Sequence, residues 1–242
     1  MAVLKKILLV LILSLFGLTS HSRNVYVMVV GVADYPGTRN DLRLPVNDAL
    51  AIANLYKTNE NAVVKQLYNE SATCANIVNG ACGMYQFAEE DDIVVFYFSG
   101  HGFESGFCAY DGFLSYELIK EMFSLCKARH KMIFADSCFS GKLRDPKQSS
   151  TVSPQNIDLM LFLSSRHNEY SLERPQMKNG LFTTCLLRCL KGAADTNGDK
   201  VITAKELFIG VSNGVKILSQ DQQHPVMWGN FDDDMTVISW RN

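Results

Sequence analysis

Residues 92–102, DIVVFYFSGHG, decide the fold. From Ile93 to Phe98 every side chain is apolar or aromatic, with no alternating polar position. A strand with one wet face alternates, so this one is read as covered on both faces. The same texture recurs at Val25–Val32 (VYVMVVGV), Lys131–Ala135 (KMIFA) and Leu159–Ser164 (LMLFLS), with a shorter strand at Val63–Leu67 and a closing one at Met235–Trp240. Helical spacing fills the gaps. Val46, Ala49, Leu50, Ala53 and Tyr56 share one face, Ala72–Phe87 predicts a helix broken by Gly80 and Gly83, and Leu114–Ala128 predicts an amphipathic helix capped by Ser115. Further helices are expected at 181–191 and 204–218. Strands alternating with helices predict an α/β fold, a mainly parallel sheet with helices on both faces. There is no internal repeat, and the one long aperiodic polar stretch, Gly141–Gln155, reads as an exposed loop.

Composition agrees with one globular domain. The 242 residues include 47% hydrophobic and 20% charged side chains, which excludes disordered and collagenous classes. With 23 basic and 25 acidic residues there is no basic surplus of the kind a nucleic-acid partner requires.

The first 22 residues are read separately. Lys5 and Lys6 precede the apolar run Ile7–Leu18, followed by Thr19-Ser20-His21-Ser22. This is the pattern of a secretory signal peptide, with a greasy centre short of the ~20 residues that span a bilayer. Cleavage after Ser22 would leave a chain of 23–242 with no membrane-crossing segment and would place it in the periplasm or outside the cell. Seven cysteines in an oxidising compartment could pair, but the odd number leaves one over. Cys126, Cys185 and Cys189 instead fall on apolar helix faces, and no spacing suggests zinc.

The reactive residues follow two of the buried strands. DIVVFYF runs into Ser99-Gly100-His101-Gly102, and KMIFA runs into Asp136-Ser137-Cys138. Ligands in open α/β sheets bind beyond the carboxyl ends of strands, so both segments are expected at one edge. A thiol beside an imidazole makes a nucleophile with its acid/base partner.

FYFSGHG (96–102) and IFADSCFSG (133–141), in this order, resemble the caspase-like cysteine peptidases and in particular the metacaspases and paracaspases. The resemblance extends to GVADYPG (31–37), LPVNDA (44–49) and GLFTTCLLRCLKG (180–192). It implies a caspase-like three-layer sandwich around a mostly parallel six-stranded sheet, and a peptide or protein substrate. It implies a catalytic dyad of His101 and Cys138, with an oxyanion hole formed by the backbone N–H groups of Gly102 and Cys138. The chain departs from the family twice, in having Asp136 where caspases have glutamine and Phe139 where many metacaspases have histidine.

By the same resemblance Asp48 and Asp136 form an acidic pocket for the residue before the scissile bond, which would select Arg or Lys through charge-assisted hydrogen bonds. Asp48 also suits the first turn of its helix, and Arg39 and Arg43 nearby would favour an acidic substrate instead. Caspase-like enzymes are often cut after the catalytic cysteine, which makes Lys142, Arg144 and Lys147 candidate self-processing sites.

Asp195, Asn197, Asp199, Val201, Thr203 and Glu206 follow EF-hand spacing and form a candidate calcium site, although Lys200 stands where the turn wants glycine. Thr203 and Glu206 read equally well as a capping box. No other cofactor is implied. The leading expectation is an exported cysteine endopeptidase, and the alternative is an idle caspase-like module that binds a protein or calcium.

Overall fold

Ser99 and Asp136, the last residues of two neighbouring parallel strands, lie side by side at the edge of a six-stranded sheet. The computed structural model describes residues 23–103, 105–124, 126–138, 159–166, 171 and 176–240. The expected signal peptide (1–22) and the loop 141–155 with Lys142, Arg144 and Lys147 lie outside the described residues.

The sheet is built from β1 (Val25–Gly31), β2 (Ala62–Tyr68), β3 (Ile93–Ser99), β7 (His130–Asp136), β8 (Leu159–Leu163) and β10 (Val226–Asn230). Their order is β10-β8-β7-β3-β1-β2, parallel throughout except for β10, which pairs antiparallel with β8. Two smaller sheets join β4 (Gly102–Phe103), β5 (Gly106–Ala109) and β6 (Gly112–Ser115), and β9 (Val201–Thr203) with β11 (Thr236–Ser239). The helices are α1 (Pro45–Tyr56), α2 (Cys74–Tyr85), α3 (Tyr116–Ser124), α4 (Leu181–Arg188) and α5 (Ala204–Ser219).

Strand alternation divides the core into two. Val27, Val29, Val95, Tyr97 and Phe134 face one side and pack with Ile52, Phe182, Leu186 and Val211 of α1, α4 and α5. Met28, Val30, Phe96, Phe98 and Ile133 face the other and pack with Ile77, Tyr85, Ile119 and Phe123 of α2 and α3. This is the three-layer α/β sandwich that uniformly apolar strands require. Truncating a fully buried ring such as Phe96 to alanine in such a core costs ~3–5 kcal/mol.

Several expectations are corrected. Gly80 and Gly83 do not break α2, which runs unbroken from Cys74 to Tyr85. Gly80 serves close packing, since a Cβ there would lie 3.1 Å from the Lys65 side chain and 3.2 Å from Met28 Cε. In the segment 114–128 the helix spans Tyr116–Ser124 among the described residues, and it starts late because Gly112–Ser115 pairs with β5. The expected cap is present, as Ser115 Oγ accepts the Leu118 N–H at 3.2 Å. The helix at 181–191 ends as α-helix at Arg188 and continues as one π turn over Cys189–Ala193. The expected closing strand is present as β11, paired with β9, and an unexpected strand, β10, forms one edge of the central sheet. None of the seven cysteines forms a disulfide, and Cys126, Cys185 and Cys189 are buried as expected, although Cys126 lies beyond the end of α3 and not on its face. Among the described residues no helix is long and apolar enough to cross a membrane.

Candidate active site

The turns leaving β3 and β7 are bound together. Gly100 N–H donates to the Asp136 carbonyl at 3.3 Å. Gly102 approaches the second turn so closely that a Cβ on it would lie 2.3 Å from the Cys138 carbonyl oxygen, a space only glycine fits. Ser164 holds the β7 turn from behind: its hydroxyl accepts the Ser137 N–H at 3.1 Å and donates to the Ser137 carbonyl at 3.0 Å. His101 and Cys138, both half-buried, thereby line one open cleft.

The imidazole of His101 is oriented by main chain. Its Nε2 meets the Asn40 carbonyl at 2.7 Å. A carbonyl only accepts, so in the neutral ring Nε2 carries the proton and Nδ1 keeps the lone pair. The backbone of His101 is held by Tyr35, whose hydroxyl accepts the His101 N–H at 2.9 Å and donates to the Cys108 carbonyl at 3.2 Å. The two rings lie 5.0 Å apart. Burial pushes the Tyr35 phenol well above its ordinary range, so it stays neutral.

Gly102 can offer its amide. Cys108 N–H donates to the His101 carbonyl at 2.9 Å, and the next direct pair in the ladder is Phe103 with Gly106. Alternation of narrow and wide pairs makes Gly102–Phe107 the pair without mutual bonds, so the Gly102 N–H turns away from β5.

The cleft lined by His101 and Cys138 is also lined by Asp48 and Asp136, both buried. Asp48 Oδ1 accepts from Gly180 N–H and Asn179 Nδ2, each at 2.9 Å, and Oδ2 accepts from the Ser99 hydroxyl at 3.1 Å. Asp136 Oδ2 accepts from the Thr183 N–H at 3.1 Å and the Thr183 hydroxyl at 2.7 Å, while Oδ1 accepts from the Ser171 hydroxyl. The Tyr97 hydroxyl extends this chain to Thr183 at 2.6 Å. A carboxylate has about four acceptor sites. Among the described residues, protein donors fill three on each, leaving one at Asp48 Oδ2 and one at Asp136 Oδ1. Burial, and then the charge of Asp136, push the Asp48 carboxyl well above the usual range. Burial raises Asp136 as well, against the hydrogen bonds from Ser171 and Thr183. Arg39 and Arg43 are exposed and are not among the residues lining the cleft.

The EF-hand-like segment is organised by its own hydrogen bonds. Asp195 accepts the backbone N–H groups of Gly198, Asp199 and Lys200 at 2.8, 3.2 and 3.0 Å. Glu206 closes a capping box with Thr203 and accepts the Thr196 hydroxyl at 2.9 Å. Lys200 adopts φ 65°, the left-handed conformation that the missing glycine would have eased. Among the described residues no three His, Cys, Asp or Glu side chains are gathered so as to hold a metal ion.

The sequence reading missed the groups that set up these side chains: the Asn40 carbonyl, Tyr35, Ser99, Asn179, Gly180 and Thr183. A main-chain acceptor leaves no mark in sequence. Gly180 stood in a quoted motif, but its position between the two carboxylates emerges only when α4 docks on the sheet.

The profile of the caspase domain family matches residues 24–235. No curated protein sequence matches the chain. Among solved structures, GSU0716 from Geobacter sulfurreducens superposes with a TM-score of 0.68 at 17% identity, over 87% of this chain and 95% of its own. Caspase-1 from Spodoptera frugiperda superposes with a TM-score of 0.68 at 12% identity, over 89% of each chain. Both likenesses bear on the fold, which is the caspase fold. The family match spans every described element from β1 to β10, and on that ground the chain belongs to the caspase-domain family of cysteine peptidases.

Proposed function

We propose that the protein is an exported endopeptidase in which His101 and Cys138 form the catalytic dyad and Asp48 and Asp136 select Arg or Lys before the scissile bond. His101 Nδ1 takes the proton of Cys138 Sγ, and the thiolate attacks the carbonyl carbon. The backbone N–H groups of Gly102 and Cys138 receive the oxyanion, donors that contribute ~10²–10³ in rate each in well-studied hydrolases. The imidazolium then protonates the departing amine, and water, deprotonated by the same ring, releases the acyl group.

The observation that carries the specificity is the pair of buried carboxylates in the cleft that His101 and Cys138 line, each keeping one acceptor site for a cationic side chain. An arginine or lysine between them supplies the positive charge that favours ionised carboxylates which burial otherwise disfavours. The test compares acyl reporters ending in Arg, Lys and Asp on wild-type and Cys138→Ala protein. Cleavage of the basic reporters alone, abolished by Cys138→Ala, is expected. Preference for the Asp reporter would overturn the specificity, and failure of a basic acyloxymethyl ketone to label folded protein would move the reading to a binding module.

Export rests on the signal-like residues 1–22 and is tested by the amino terminus of protein recovered outside the cytoplasm. Self-processing rests on basic residues in an aperiodic segment that the same pocket would accept. It predicts a new amino terminus between Leu143 and Gln148 in wild-type protein and a whole chain in Cys138→Ala.

A further inference from the structure

We propose that the outer face of the β4–β5–β6 sheet is a binding site for an apolar side chain within the first two residues after the scissile bond. This rests on the reading of His101 as the proton donor to the departing amine, because the chain that leaves as the amine must then pass His101.

Register fixes which side chains share that face. Cys108 lies opposite Phe113, Phe103 opposite Gly106, and Gly106 opposite Ser115, while the carbonyl of His101, the residue just before β4, accepts the Cys108 N–H at 2.9 Å. Directly opposed residues project to the same side and neighbours along a strand to opposite sides. Phe103 and Phe113 therefore share one face, and His101 immediately precedes the strand that carries Phe103. Gly102, Phe107 and Leu114 hold the other, where Phe107 and Leu114 are fully buried in the core.

Among the described residues nothing covers the two rings on this face. Phe103 is 50% exposed and Phe113 49%, with ring centroids 6.4 Å apart. Gly106 makes the seat for this pair. A Cβ on it would lie 2.7 Å from Phe113 Cζ, so the Phe113 ring rests over the glycine and leans toward Phe103. The strand beneath is anchored, since the Tyr116 hydroxyl donates to the Phe103 carbonyl at 3.1 Å. β4 is the edge of its sheet and runs on from His101 away from the cleft, whose lining does not include Phe103. Two exposed rings on an anchored edge strand beside a reactive histidine are a built apolar surface.

The occupant follows from spacing. Phe103 stands two residues past His101, ~6.8 Å along an extended strand. A substrate leaving past the imidazole advances at the same pitch, so its first or second residue after the cleaved bond comes level with the rings.

The experiment uses internally quenched peptides that share an Arg before the cleaved bond and carry Phe-Leu or Gly-Gly after it. A peptidyl-arginine methyl ester, whose leaving group is methanol, serves as reference. For wild-type protein kcat/KM is expected about tenfold higher for the Phe-Leu peptide. In Phe103→Ser/Phe113→Ser protein that ratio falls toward one, and turnover of the Phe-Leu peptide relative to the ester falls with it. The inference is overturned if the double variant keeps the preference, as it would if the rings instead joined two copies of the chain. It is also overturned if ester and peptide decline in step, which would mean that the rings only support the His101 loop. Binding of the two peptides to Cys138→Ala protein reads the same surface without catalysis. Tighter binding of the Phe-Leu peptide, lost on adding Phe103→Ser, supports the site whatever becomes of the dyad, and equal binding of both peptides overturns it.

Discussion

The Tyr35 hydroxyl accepts the backbone N–H of His101 at 2.9 Å while donating to the Cys108 carbonyl at 3.2 Å, so one phenol fixes the histidine turn to the hairpin that follows it. Tyr35 is buried and holds His101 both by this backbone bond and by the contact of the two rings, 5.0 Å apart. It is a positioning residue.

Tyr35→Phe removes both hydrogen bonds and leaves the ring packing in place. A typical bond of this kind contributes ~1 kcal/mol, and an orphaned buried donor costs ~1–3 kcal/mol. For the Arg reporter the expected result is a fall in kcat of about tenfold with little change in KM. A purely structural role would lower the amount of active enzyme without altering its pH profile. Mispositioning of the base predicts, in addition, slower alkylation of Cys138 by iodoacetamide at neutral pH, measured per titrated active site.

Gly180 occupies the space between the acidic residues. Its N–H donates to Asp48 Oδ1 at 2.9 Å, and a Cβ on it would lie 2.5 Å from Asp136 Oδ2 and 3.3 Å from Asp48 Oδ2. Gly180→Ala forces the carboxylates or α4 to shift. The expected outcome is a rise in KM for Arg and Lys reporters of about tenfold or more and a loss of ~1–3 kcal/mol in stability by denaturant unfolding. A variant with wild-type KM would show that the pair does not contact the substrate's basic group.

Much of this was legible before any coordinates. The uniformly apolar β1, β3, β7 and β8 announced a two-sided sheet, and the residues just past β3 and β7 had to fall at one edge because parallel strands end together. The small β4–β5–β6 sheet was not legible. Its strands are two to four residues long and begin at Gly102, Gly106 and Gly112, too short and too glycine-rich for any period to show. β10 was missed for a related reason, since Val226–Asn230 (VMWGN) closes on Gly229, at φ 135°, and Asn230 and lacks the apolar run that marked the parallel strands. The acidic pair was named from motif alone. Its hydrogen-bonding cradle came from Asn179, Gly180 and Thr183, more than 40 residues from Asp136 and more than 130 from Asp48.

Asp48 gives the protein a pH signature of known sign. Its carboxyl is raised in the folded state by burial and then by the charge of Asp136, above the ~3.9 of an unfolded chain. Between the two values the native protein holds a proton that the unfolded chain has released, so stability is lost as pH rises through that window. Asp48→Asn keeps an acceptor for Gly180 and offers a donor to Ser99 without a charge. Thermal unfolding across pH 4–8 should show the variant gaining on wild type as pH rises. Binding should move the opposite way for wild type. An arginine side chain favours the ionised pair, so KM for the Arg reporter should fall as pH rises through the same window, and Asp48→Asn should flatten that dependence. A variant that parallels wild type at every pH would remove Asp48 as the titrating group.

Lys200 tests what the loop at 195–206 is built for. Its φ of 65° is unfavourable for a residue with a Cβ, by roughly 1 kcal/mol relative to glycine. The three amides converging on Asp195 nevertheless hold it there. Lys200→Gly should therefore stabilise the protein by about 1 kcal/mol, a rise of ~2–4 °C in Tm for a chain of this size. Thr203→Ala, which deletes the hydroxyl that caps α5 at Glu206 N–H, should cost ~1 kcal/mol. Calorimetric titration with calcium separates the two purposes the segment's spacing allows. If the loop is a helix entrance, both effects on Tm are the same with and without calcium, and Asp199→Ala changes no binding heat. If it is a cation loop, Lys200→Gly removes a positive charge and relaxes the turn at once. Calcium affinity then rises in that variant, and the heat disappears in Asp199→Ala.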